Sequence, residues 1–133
     1  MMLFLTLLLG CGPDSSDPVR DSRKRCLYDK HADSCYRVGK DALSGEMVPD
    51  EFGKMIPLTS EDAAIYLARA CDQDFQDSCA LLPGLTRRGL KVSRVVGALL
   101  GPCEARIQSA CHALRQVNQE HPGALTPQML ELL

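Results

Sequence analysis

Tryptophan is absent from this chain of 133 residues, and only three Phe and three Tyr are present. So few large rings leave a small domain with a thin core, and covalent staples become a reasonable supplement. No Cys-x-x-Cys occurs, which argues against dithiol redox chemistry and the usual zinc spacing. None of the serines is followed three positions on by Lys, and Lys-Thr-Gly is missing, so the serine β-lactamase signature is not there. Gly-x-Ser-x-Gly and His-Glu-x-x-His are also absent. The net charge of -2 gives no steering field for nucleic acid. No apolar run is long enough to cross a bilayer as a helix. No stretch alternates convincingly with period two.

Cysteine is what the chain has in quantity. Six residues form three evenly built near pairs: Cys26 and Cys35, Cys71 and Cys79, Cys103 and Cys111. The seventh, Cys11, stands apart behind a short apolar run. An even set at regular spacing in a small exported chain reads as a disulfide frame. A basic cluster at Arg20, Arg23, Lys24 and Arg25 reads either as a solvated helix face or as a patch for phosphate or a partner.

Residues Leu3 to Leu9 are apolar, and their length suits the core of a signal peptide. Leu8-Leu9-Gly10-Cys11 resembles the bacterial lipobox, in which a small residue precedes the Cys. That resemblance implies a signal peptide over 1–10, removed after Gly10, and a diacylglycerol on the Cys11 thiol. Met1-Met2 departs from the pattern in lacking Lys or Arg before the apolar run. A plain signal peptide or a buried N-terminal strand is the alternative reading. Residues 11–17, rich in turn formers, read as a lipidated tether. Gly12, rather than Asp, follows the Cys, which leans toward the outer membrane. An exported location is oxidising and lets the other six thiols pair.

An internal repeat accompanies the cysteines. Asp33-Ser34-Cys35 matches Asp77-Ser78-Cys79, and Ser109-Ala110-Cys111 is a looser third copy. Val38, Leu82 and Leu114 each lie three positions past the second Cys. Gly45 and Gly89 lie ten past it, where the third copy has His121. The clearest helix runs from Thr59 or Ser60 as cap, through acidic Glu61-Asp62, to Cys71, with Ala63, Ile65, Leu67 and Ala70 as apolar surface. Pro18 and Thr126-Pro127 mark other starts. The chain is expected to be all-α, with about seven helices near 18–27, 34–44, 60–72, 78–89, 92–102, 109–119 and 127–133. Residues 46–58, with Pro49, Gly53 and Pro57, read as an inserted loop. Gly97, Gly101 and Pro102 predict a short or bent fifth helix.

The run Ala63-Ala64-x-Tyr66-Leu67-x-x-Ala70-Cys71, then Cys79-x-x-Leu82 and Gly89, resembles the Sel-one-like repeat in its secreted, cysteine-rich form. The resemblance covers roughly 18–120 and is strongest in the middle copy. It implies a short α-solenoid of antiparallel helix pairs, related to tetratricopeptide arrays, over 18–133. Six cysteines permit fifteen connectivities, and the resemblance implies one disulfide between successive helices, hence Cys26–Cys35, Cys71–Cys79 and Cys103–Cys111. Residues eight apart on one helix would be about 12 Å apart, whereas a disulfide needs Cα atoms within about 7 Å. Each such bridge therefore requires the chain to reverse between its members.

The same resemblance implies a scaffold for protein partners. Its face would be lined by the helices at 34–44, 78–89 and 109–119. Tyr36, Arg37, Lys40, Arg87, Arg88, His112 and Arg115 are the candidates to face a partner, or are simply solvated surface. The expected partners are a protein at the cell envelope and the membrane, through lipid on Cys11, with no nucleic acid. No cofactor is expected, and no metal, since His31, His112 and His121 lack ligand spacing. Some cysteine-rich relatives are described as penicillin-binding or weak β-lactamases, so a cell-wall enzyme is the alternative function, although no catalytic motif is recognisable. Asp72, Asp74 and Asp77 read as a solvated acidic loop.

Overall fold

A computed structural model describes residues 18–49 and 52–133. Cys11, the expected signal peptide over 1–10 and the tether over 11–17 lie outside the described residues. Among the described residues seven α-helices follow in the order α1 (Pro18–Asp29), α2 (Ala32–Leu43), α3 (Ser60–Cys71), α4 (Gln76–Leu81), α5 (Val92–Glu104), α6 (Gln108–Glu120) and α7 (Pro127–Leu130). A 3-10 segment, Leu82–Arg88, continues α4. Two three-residue strands, β1 (Met47–Pro49) and β2 (Met55–Pro57), pair antiparallel between α2 and α3.

The fold is an all-α, short solenoid of antiparallel helix pairs, each pair stapled by a disulfide. Cys26–Cys35, Cys71–Cys79 and Cys103–Cys111 are bonded, with Cα separations of 4.7, 4.8 and 4.7 Å. One turn geometry recurs at all three. Lys30, Asp74 and Arg106 have positive φ of 53°, 63° and 68°, and each lies five residues before the second Cys of its pair. The next residue, His31, Phe75 or Ile107, is extended and heads the following helix. Its N–H donates back to the carbonyl of Arg25, Ala70 or Pro102 at 3.1, 3.1 and 3.0 Å. Its own carbonyl accepts the N–H of Cys35, Cys79 or Cys111 at 3.0, 3.3 and 3.2 Å. A single left-handed residue thus satisfies a helix end and turns the chain. The first pair is one residue longer, and the extra residue lies on the α1 side of its turn.

Helix α3 is the hub. Ala63, Tyr66, Leu67 and Ala70 are buried, at the i, i+3, i+4, i+7 spacing of one stripe. Ile65 falls off that stripe and is half exposed, so it is not the core residue its apolar character suggests. Tyr66 takes that place. Thr59 and Asp62 close a capping box, with Asp62 N–H donating to Thr59 Oγ1 at 3.1 Å and Thr59 N–H to Asp62 Oδ2 at 3.0 Å. On one side Tyr66 and Ala70 join Cys26, Cys35 and Val38 in a small core. On the other, Leu67 joins Leu82, Leu85, Leu99, Leu114 and Val117 in the main core, which encloses both later disulfides. The buried Ser78 Oγ donates to Leu67 O at 2.7 Å and ties α4 to α3.

Several elements differ from the sequence expectation. The fourth helix is not continuous over 78–89. Pro83 has no N–H for an α-helical bond and its ring clashes with the carbonyl four residues back, so the chain tightens to 3-10. That segment ends at Gly89, in the left-handed region at φ 95°. Conversely, α5 is not short: it runs two residues past Pro102. Pro102 sits in the last turn and is buried, so it costs one hydrogen bond while Val95, Val96, Leu99 and Cys103 hold the helix on the core. The inserted loop over 46–58 contains the β1–β2 hairpin. Strands of three residues are too short to show a period-two signal. Helix α7 stops at Leu130 rather than continuing to 133.

The first two pairs approach closely at Gly39 of α2. A Cβ there would lie 2.6 Å from Leu67 Cγ and 3.4 Å from Ala63 O. Gly39→Ala should therefore destabilise the protein by about 1–3 kcal/mol through overpacking, read as a lower urea midpoint; an unchanged midpoint would contradict this packing. Arg106→Gly should act oppositely. It relieves roughly 1–2 kcal/mol of left-handed cost, against about 0.4–1 kcal/mol of added unfolded-state entropy. A small rise in the same midpoint is expected, and a fall would count against the left-handed turn.

Candidate functional site

The second helices of the last two pairs, α4 and α6, pack side by side and present one face. A cleft of about 450 Å³ runs between α4 and α6 on this face. Gln76, Asp77 and Ala80 line one wall, and Gln108, Ser109 and His112 the other. The two walls are the same repeat positions in adjacent copies. Gln76 and Gln108 each lie three residues before the second Cys, and Ala80 and His112 one residue after it. The small side chains of Ala80 and Ala113 leave room between the walls. Ser109 Oγ is buried there with no hydrogen-bond partner. The side-chain amides both donate and accept, which matches the alternating needs of an extended peptide backbone.

The seven candidate partner residues do not form one patch. His112 is exposed and lines the cleft, and Arg115 is exposed one turn along the same helix. Tyr36 is half-buried, with its ring 4.8 Å from that of Phe75 and Lys40 Nζ 5.7 Å from its centroid. Arg37 pairs with Asp33 at 2.9 Å on its own helix. Arg87 reaches Glu120 of α6 at 3.5 Å. Arg88 Nη1 donates to Leu43 O at the end of α2, and Ser60 Oγ donates to Arg88 O at 3.4 Å. Arg88 is thus a brace between pairs as well as a surface cation. In the basic cluster, Arg23 Nε donates to Tyr66 OH at 3.0 Å and so bridges α1 to α3, while Lys24 and Arg25 are exposed.

The cleft residues Gln76, Gln108, Ser109 and Gln116 were not evident from the sequence. For Gln76, Gln108 and Ser109 the signal is positional, a matched polar offset ahead of the second Cys in two copies, and carries no motif chemistry. Among the described residues no three of His, Cys, Asp and Glu gather to hold a metal ion. Among the same residues no helix is long and apolar enough to cross a membrane. No family model, curated protein or solved structure matches this chain.

Asp72 caps the C-terminal end of α3 and borders a second hollow with Lys30, Arg69 and Gln73. Asp72 is largely exposed, yet the packing around the helix end desolvates its carboxyl in part and raises its pKa above the ordinary value of 3.8. The folded chain therefore binds a proton where the unfolded chain has lost it, and stability falls as pH rises from the ordinary value through the raised one. The negative end of the helix also disfavours an anion there. Asp72→Asn should melt above the native protein at neutral pH, with the gap closing toward acid. A gap that is absent at neutral pH, or that widens in acid, would contradict this assignment.

Proposed function

We propose that this chain is a cell-envelope lipoprotein of the Sel-one-like repeat type, anchored through lipid on Cys11 and holding a protein partner on the α4–α6 face. The outer membrane, with the domain facing the periplasm, is the favoured location because Gly12 follows Cys11. The observation that carries the reading is the set of three buried disulfides in one repeated turn. Such bonds persist in an oxidising compartment, and the Leu8-Leu9-Gly10-Cys11 run supplies a route to one. The amide-lined cleft supports a binding role, since paired-helix arrays present extended surfaces to partners. Its polar groups, including the unpartnered Ser109 Oγ, suit a peptide segment rather than an apolar ligand.

Two measurements test this reading. Metabolic labelling with palmitate should mark the native protein and not Cys11→Ala; an unlabelled native protein would remove the anchor. A photocrosslinking residue placed at His112 in the cleft should capture a discrete envelope protein, whereas one at Ile65 on the α3 surface should not. Equal capture at both positions would remove the cleft as the binding face.

A further inference from the structure

Up-down topology places the three disulfide turns at one end of the helices and the α2–α3 connection at the other. Along the first pair, Cys26 lies opposite Cys35, so the start of α1 at Pro18 lies opposite the end of α2 at Leu43. The hairpin begins four residues beyond Leu43, and β1 packs against both α1 and α2. It therefore projects from the end at which the chain enters the domain. The hairpin presents large apolar side chains to solvent: Phe52 is 90% exposed, Met55 50% and Met47 47%. Few other large hydrophobics in the described residues are as open.

We propose that this hairpin is a second membrane contact, with Phe52, Met47 and Met55 entering the interfacial layer of the bilayer that holds the lipid. The inference rests on the reading of Cys11 as the anchor. The chain between Cys11 and Pro18 can span at most about 25 Å even when fully extended. The end of the domain carrying the hairpin is thereby confined to the bilayer's neighbourhood, with the disulfide turns pointing away. Glu46, Asp50 and Glu51 against Lys54 give the 46–58 stretch a net charge of -2. Insertion is therefore driven by apolar burial and favours a zwitterionic over an anionic surface. The helices would stand on the membrane by their α1 entry end, leaving the α4–α6 cleft on the side of the array and open to the periplasm.

The absence of native Trp makes the test direct. Phe52→Trp in the full chain, matured in a bacterial host, carries a single fluorophore at the hairpin. Tyr28→Trp carries one at another open position, 75% exposed in the native chain, beside the first disulfide. Each protein is reconstituted into zwitterionic vesicles, with palmitate labelling and co-flotation measured in parallel. Trp at 52 should emit further to the blue than in detergent-free buffer and be quenched by acyl-chain bromine. Trp at 28 should do neither, and the effect at 52 should weaken on anionic vesicles. A labelled, co-floating protein whose Trp at 52 stays water-like overturns the hairpin contact, leaves the anchor standing and hands the patch to a protein partner. An unlabelled Cys11 overturns the anchor. In that case bromine quenching at 52 still sustains the contact, and its absence overturns that too.

Discussion

Two helices that meet at a cysteine must bring their backbones within about 7 Å at that point, and here the Cα atoms are 4.7–4.8 Å apart. The reversal of the chain within eight or nine residues follows from that closure. Each short loop contributes roughly 2–3 kcal/mol in the chain-entropy model. Three of them are comparable to the whole stability of a small domain, about 5–15 kcal/mol. A chain with no Trp and mostly Leu, Val and Ala in its core has few other large terms. The staples also contribute to the core directly, since all six bonded cysteines are buried. They fill volume that aromatic rings occupy in other small domains.

The same closure explains how much of the fold was legible. One capping residue and two helix-opening prolines mark the starts of α1, α3 and α7, because those signals act locally. Thr59 is the clearest, with both bonds of its box formed. Proline was ambiguous because its effect depends on where in a helix it falls. Pro83 begins a new segment and changes its type, while Pro102 sits in a final turn that the core holds in place. The left-handed residues were hidden because they are Lys30, Asp74 and Arg106 rather than glycine. Their regular offset from the second Cys becomes visible only once the turn is seen. Ile65 is apolar but lies off the helical stripe, and the stripe, not hydrophobicity, decides that Tyr66 is buried instead.

The candidate surface was less legible, for a different reason. Arginines read as partner-facing are in part structural braces, and their partners are far away in sequence. Arg88 reaches Leu43 O across 45 positions, and Arg23 reaches Tyr66 across 43. No local pattern announces such contacts. The α4–α6 cleft arises from the opposite effect. Two copies of one repeat position, brought side by side, line a groove with amides that neither copy identifies alone. The cleft therefore arises between repeats, in the register that the disulfide turns impose. The entry end, where the hairpin and the first residues of α1 meet, is set by the same alternation of helix direction.

The most direct test of this account is peptide mapping of the purified native protein under non-reducing conditions, with free thiols blocked before digestion. The account predicts three cystine-linked fragments, joining Cys26 to Cys35, Cys71 to Cys79 and Cys103 to Cys111, and no blocked thiol among those six. Free thiols at these positions, or bridges running between different helix pairs, would contradict it.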